Sequence, residues 1–122
     1  MSIATDIRQE SETEVRPWGS WQVLGEGPGF KVKRINVHGH ARLSLQTHAR
    51  RAEHWIVVSG VATCTVGDRQ VELRAGESID VPLGARHRIA NRTVRDLVLV
   101  EVQLGSYTGE DDIVRLEDDY GR

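Results

Sequence analysis

The chain has 122 residues, 16 of them basic and 18 acidic, for a formal charge of -2. That length is one domain, and 39% hydrophobic with 28% charged residues is an ordinary globular composition. The near-neutral balance argues against nucleic acid as a partner, and no apolar run is long enough to cross a bilayer as a helix.

The first segment, MSIATDIRQESETEV, is polar, without periodicity and without an apolar h-region. It predicts a loose arm over residues 1–14 ahead of a domain at 15–122, and no secretory signal. Cys64 is the single cysteine, which excludes an internal disulfide and suggests a reduced, cytoplasmic setting.

After Pro17 the chain becomes a series of short β-prone runs separated by glycine and proline. WGSWQVL comes first, then FKVKRINV, RLSLQTH, EHWIVVSG and VATCTVG, the last two joined by a tight turn at Ser59-Gly60. RQVELRAGE, SIDVP, HRIAN and DLVLVEVQLG complete the series, and the acidic tail GEDDIVRLEDDYGR suggests a helical turn or two. Many short strands and no long helical period predict an all-β sandwich or barrel.

Several runs are apolar on both faces, EHWIVV and LVLVEV above all, so they need cover on both sides. In RLSLQTH, strict alternation sets Arg42, Ser44, Gln46 and His48 on one face and Leu43, Leu45 and Thr47 on the other. Outward leucines beside the outer face of EHWIVV predict a homodimer. The alternative cover is the segment around Trp18 and Trp21. Cys64 alternates with Ala62 and Val66 and is expected in the core.

Gln46 and His48 share a strand face, Glu53 opens the next strand and His87 comes from a distant one. Such residues can converge inside a barrel on one divalent ion. The pattern resembles the two-part cupin signature. Its second half runs Gly76, five residues, Pro82, one residue, Gly84, two residues, His87, three residues, Asn91. The first half ends His48, four residues, Glu53, six residues, Gly60. The resemblance implies a double-stranded β-helix, or jelly-roll barrel, with Gln46, His48, Glu53 and His87 as metal ligands. Cupins usually have histidine where Gln46 stands, and glycine where His40 stands. With an amide in place of an imidazole, one carboxylate and a divalent ion leave a formal charge of about +1, which suits a Lewis acid. It also argues against an oxygen-activating iron site, whose ligand set is usually richer in histidine.

The strings RPWGSW, GFKVKRINV, LSLQTH, RAEHWIVVSG, LVLVEVQLG and GEDDIVRLEDDYGR resemble the type II mannose-6-phosphate isomerases, from Arg16 to Arg122. In many of these proteins such a domain follows a mannose-1-phosphate guanylyltransferase domain. The chain itself shows no Gly-rich nucleotide-binding loop. The resemblance implies a zinc ion, or manganese, cobalt, iron(II) or nickel in its place, and interconversion of mannose 6-phosphate with fructose 6-phosphate.

An aldose–ketose isomerase needs a base that reaches C1 or C2 and a cation for the phosphate. Glu101 is the first candidate base, because it shares a strand face with Leu97, Leu99 and Gln103. A buried ion-pair role would place it equally well. His54 is the second candidate, although alternation points it away from Glu53. Lys33, on a face with Ile35 and Val37, is a candidate phosphate ligand, with Arg51, Arg86 and Arg115 at the rim. The acidic tail residues are most simply solvated charge. The rival to an isomerase is a cupin that holds metal and sugar phosphate without turning the sugar over. An inward base separates the two readings.

Overall fold

A computed structural model describes residues 12–121, which form eleven strands and, among the described residues, no helix. The strands are β1 (Glu14–Arg16), β2 (Gly19–Gly27), β3 (Phe30–Val37), β4 (Leu45–Thr47), β5 (Arg51–Ser59) and β6 (Val61–Val66). They continue with β7 (Arg69–Arg74), β8 (Ser78–Val81), β9 (His87–Ala90), β10 (Leu97–Gly105) and β11 (Val114–Glu117). Two antiparallel sheets result, one ordered β1-β2-β3-β10-β5-β8 and the other β11-β4-β9-β6-β7. The architecture is the cupin jelly-roll that the strand pattern and signature predict. The expected arm over residues 1–14 lies largely outside the described residues, and strand structure already begins at Glu14.

Alternation decides which side chains enter the barrel. In β10, Leu97, Leu99, Glu101 and Gln103 are buried while Val98, Val100 and Val102 are half-exposed on the outer face. Registers carry the same rows across the sheet: Leu99 pairs with Ile35 and Val57, and Glu101 pairs with Lys33 and Trp55. Gln103 pairs with Lys31 and Glu53.

The interior is therefore sorted along its length. Leu97, Leu99, Ile35, Val37 and Val57 fill one end with aliphatic packing, each worth about 1.5–3 kcal/mol of burial. Lys31, Lys33, Arg51, Glu53, Glu101 and Gln103 are buried at the other end. Trp55, 1% exposed, spans the boundary, and Cys64 lies in the core as expected. Gly60 makes the predicted β5–β6 turn at φ 86°, where a Cβ would come within 2.8 Å of the Asp96 carbonyl oxygen.

Two expectations are corrected. The tail carries strand β11 rather than a helical turn, because it pairs with β4. Leu43 does not face outward: it packs against the core and lines the interior cavity. Before Leu45 the chain is only bridged to β9 through Arg42 and Ala90, so strict alternation does not extend back through Ser44, itself fully buried. Arg42 is exposed and bonds Asp119. Trp18 is in the core and Trp21 packs against it, so neither covers an outer leucine face.

Candidate metal centre

His48 follows the end of β4, Glu53 lies on β5 and His87 begins β9. Their ligand atoms all lie within 4.8 Å of one another, and the residues are 3%, 3% and 4% exposed. His48 Nε2 is 3.3 Å from Glu53 Oε2, and His87 Nε2 is 3.9 Å from Glu53 Oε1.

The partners of the other ring nitrogens fix the tautomers. His48 Nδ1 is 2.5 Å from the Asp112 carbonyl oxygen, and His87 Nδ1 is 3.0 Å from that of Ala85. A carbonyl only accepts, so each Nδ1 carries the hydrogen and each Nε2 keeps its lone pair, close to the Glu53 carboxylate. Both rings are held neutral. Burial lowers the His48 pKa to about 4, opposed by the Asp112 carbonyl and assisted by the Arg51 charge. Burial lowers that of His87 too. Neutral imidazoles with oriented Nε2 atoms beside a carboxylate are chemically suited to a divalent ion.

The signature spacing has a local cause. Gly84 turns the chain at φ 77°, and its N–H donates to the His48 carbonyl at 3.0 Å. Ala85 N–H bonds the Pro82 carbonyl at 3.1 Å, and the Ala85 carbonyl then receives His87 Nδ1–H. One turn thus supports both histidines. Glu53 is anchored by the Trp55 indole N–H on Oε1 and by Arg51 Nε on Oε2, both at 2.9 Å.

Gln46 pairs directly with His87 across β4 and β9 and lines the same cavity as His48. Its amide nitrogen donates to Ser44 Oγ at 2.9 Å, so the amide oxygen is the atom it would offer a cation.

Glu101 also lines this cavity, 6% exposed, with Gln103 Nε2 donating to its Oε1 at 2.5 Å. Burial raises its pKa to about 7, the Glu53 charge adds to the rise, and Lys33, Gln103 and Arg51 oppose it. Lys33 and Arg115 line the cavity as well. Lys33 Nζ is 2.7 Å from Glu110 Oε2 and 3.8 Å from the centroid of the Trp21 ring. Arg51 is 5% exposed and bonded to Glu53 and His48, far deeper than a rim position.

Two candidates fall elsewhere. His54 lies on the outer face of β5 and bonds Asp80, because it alternates with Glu53 and Trp55. Arg86 bonds Gly67 and Asp68 at the β6–β7 turn and does not line the cavity.

Sequence reasoning missed Arg16 and Glu110, both cavity residues. Glu110 belongs to a run expected to be solvated. Burial alone would raise its pKa, but Lys33 and Lys31 hold it below the usual carboxylate value. Other tail acids are paired too, Glu117 with Arg88 and Asp119 with Arg42.

Comparison with known proteins gives the family. The family model described as "Mannose-6-phosphate isomerase C-terminal" matches residues 4–118. The xanthan biosynthesis protein XanB of Xanthomonas campestris pv. campestris (strain B100) is 55% identical over 88% of this chain and 23% of its own length. The alginate biosynthesis protein AlgA of Pseudomonas aeruginosa is 50% identical over 96% of this chain and 25% of its own. A mannose-1-phosphate guanylyltransferase of Escherichia coli is 43% identical over 95% and 26%. The chain thus spans about a quarter of the length of these curated relatives.

Among solved structures, Bacillus subtilis oxalate decarboxylase, a protein with Mn(II) centres, superposes with a TM-score of 0.76 at 20% identity. It covers 87% of this chain and 30% of that one. CapF superposes at 0.73 with 22% identity over 87% and 34%, so both bear on the fold. The family match over residues 4–118 and the relatives at 43–55% identity establish that the chain belongs to the mannose-6-phosphate isomerase C-terminal family.

Proposed function

We propose that the chain is a metal-dependent aldose–ketose isomerase that interconverts mannose 6-phosphate and fructose 6-phosphate. The carrying observation is the buried carboxylate of Glu101 in one cavity with Gln46, His48 and the cations Lys33, Arg16 and Arg115. A cupin that only holds a sugar phosphate has no need of an inward base.

His48, Glu53 and His87, with the Gln46 amide oxygen as a fourth donor, would hold one divalent ion, zinc by the chemistry of these donors. Bound there, it would act as a Lewis acid toward the sugar's carbonyl and hydroxyl oxygens. Manganese is the first alternative, given the Mn(II) centres named for oxalate decarboxylase.

Glu101 takes the proton from C2 of the aldose and returns it to C1, while a hydroxyl proton passes from O2 to O1. A carboxyl with a pKa near 7 can both accept and release that proton near neutral pH. Arg16, Arg115 and the buried Lys33, all lining the cavity, bind the phosphate. A homodimer and a reducing cytoplasmic setting belong to the same proposal.

The test is a coupled assay for fructose 6-phosphate formed from mannose 6-phosphate by the purified chain, with and without chelator. Turnover that the chelator abolishes and zinc restores is expected. Binding of mannose 6-phosphate without turnover by metal-loaded protein would favour the binding-only reading.

A further inference from the structure

The Arg51 guanidinium occupies the lone pairs that the metal centre would use. Nε donates to Glu53 Oε2 at 2.9 Å, and Nη2 is 3.1 Å from His48 Nε2. Its remaining arm, Nη1, donates to the Gly109 carbonyl at 3.4 Å. His48 has no second site to offer, because Nδ1–H is committed to Asp112 and Nε2 has one lone pair. That lone pair either accepts from Arg51 or binds an ion. Glu53 differs, since a carboxylate oxygen can accept a hydrogen bond and bind an ion together.

We infer that Arg51 is a two-position residue: it closes the metal-free site as an internal cation and must withdraw from His48 when a divalent ion enters. The inference rests on the metal-centre reading above. In the metal-free state the guanidinium supplies the positive charge that a buried Glu53 carboxylate requires, 3% exposed as it is. On loading, the ion takes over that charge, and a second cation on the same two ligands is repelled. Arg51 already lines the cavity that holds Lys33 and Arg115, so the side chain has open space on that side. The energetic consequence is competition: the free energy that Arg51 contributes to the metal-free fold is subtracted from metal affinity.

The experiment compares wild type, Arg51→Met and Arg51→Lys in the full chain. Zinc affinity is measured by chelator competition, and melting temperature is measured in excess chelator. Arg51→Met should bind zinc roughly tenfold or more tightly, the effect of removing one competing hydrogen bond from a charged donor. The same variant should melt lower than wild type in chelator. Arg51→Lys keeps a cation near Glu53 but not the fork that reaches both acceptors, so its affinity should rise by a smaller factor. If Arg51→Met does not fold without metal, Arg51→Lys decides the question alone. Zinc affinity equal to or weaker than wild type in the folded variants overturns the inference and makes Arg51 a fixed prop for Glu53. Failure of the metal reading looks different: wild type and Glu53→Gln would then bind zinc equally weakly.

Discussion

The His48 imidazole is tied to the Asp112 main-chain carbonyl at 2.5 Å, across 64 residues of sequence. Asp112 also caps the turn after His48, its carboxylate accepting from Ala49 N–H at 3.2 Å and Arg50 N–H at 2.9 Å. The tail therefore sets the orientation of a ligand that it does not adjoin in sequence. Asp112→Ala should release the turn and loosen that carbonyl. Zinc affinity should fall about tenfold, as for the loss of an outer partner of a ligating histidine. Calorimetric zinc titration checks this, and unchanged affinity would show that the tail does not orient His48.

His48→Ala and His87→Ala should each abolish zinc binding, because the three convergent donors drop to two. Gln46→His should retain a metal while altering metal preference or lowering turnover. Metal content by mass spectrometry, together with the coupled assay, separates these outcomes. An unchanged rate and unchanged zinc affinity in Gln46→His would deny the amide any special part.

Glu101→Gln should lower kcat by about 10²–10⁴-fold, the usual contribution of a positioned proton-transfer group. Zinc content should stay at the wild-type level, since Glu101 is outside the His48–Glu53–His87 group. Exchange of the C2 proton with deuterated solvent, followed by NMR, should stop as well. Continued exchange in the variant would assign the base elsewhere.

The same residue predicts a pH effect on the metal-free protein. The Glu101 pKa is about 7 in the fold against an ordinary value of 4.5, so the folded state binds more protons between those values. Stability from this group is present below about pH 4.5 and is lost as pH rises through 7. Glu101→Gln removes that loss. In chelator, its melting temperature relative to wild type should climb from pH 5 to pH 8. A constant difference would mean that the carboxyl is not perturbed.

The outer face of the six-stranded sheet exposes Val58, Leu104 and Phe30, at 53%, 52% and 39%, beside half-exposed Val98, Val100 and Val102. A two-fold pairing there would cover about 800 Å² per partner, at roughly 25 cal/mol per Å² of apolar area. Light scattering at micromolar concentration should give a dimer mass, and Val58→Glu with Leu104→Glu a monomer. A monomer mass for wild type would refute the dimer.

Period-two alternation was enough to place Leu97, Leu99, Glu101 and Gln103 on one face of β10, and Lys33, Ile35 and Val37 on one face of β3. Alternation works there because both strands are long and regular, so each side chain's face follows from its parity. The spacings around His48, Glu53 and His87 were equally legible, since the turn through Gly84 is local and leaves its mark in sequence.

Leu43 was misplaced because the chain before Leu45 is not a paired strand, and parity has meaning only where a ladder enforces it. Contacts that depend on distant pairing were beyond the sequence altogether. Glu110 reaches Lys33 and Asp112 reaches His48 only because the tail returns to pair β11 with β4. Local spacing determines which side chains share a face. Only the closure of two sheets determines which faces meet, and thereby turned an apparently solvated acidic run into part of the cavity wall.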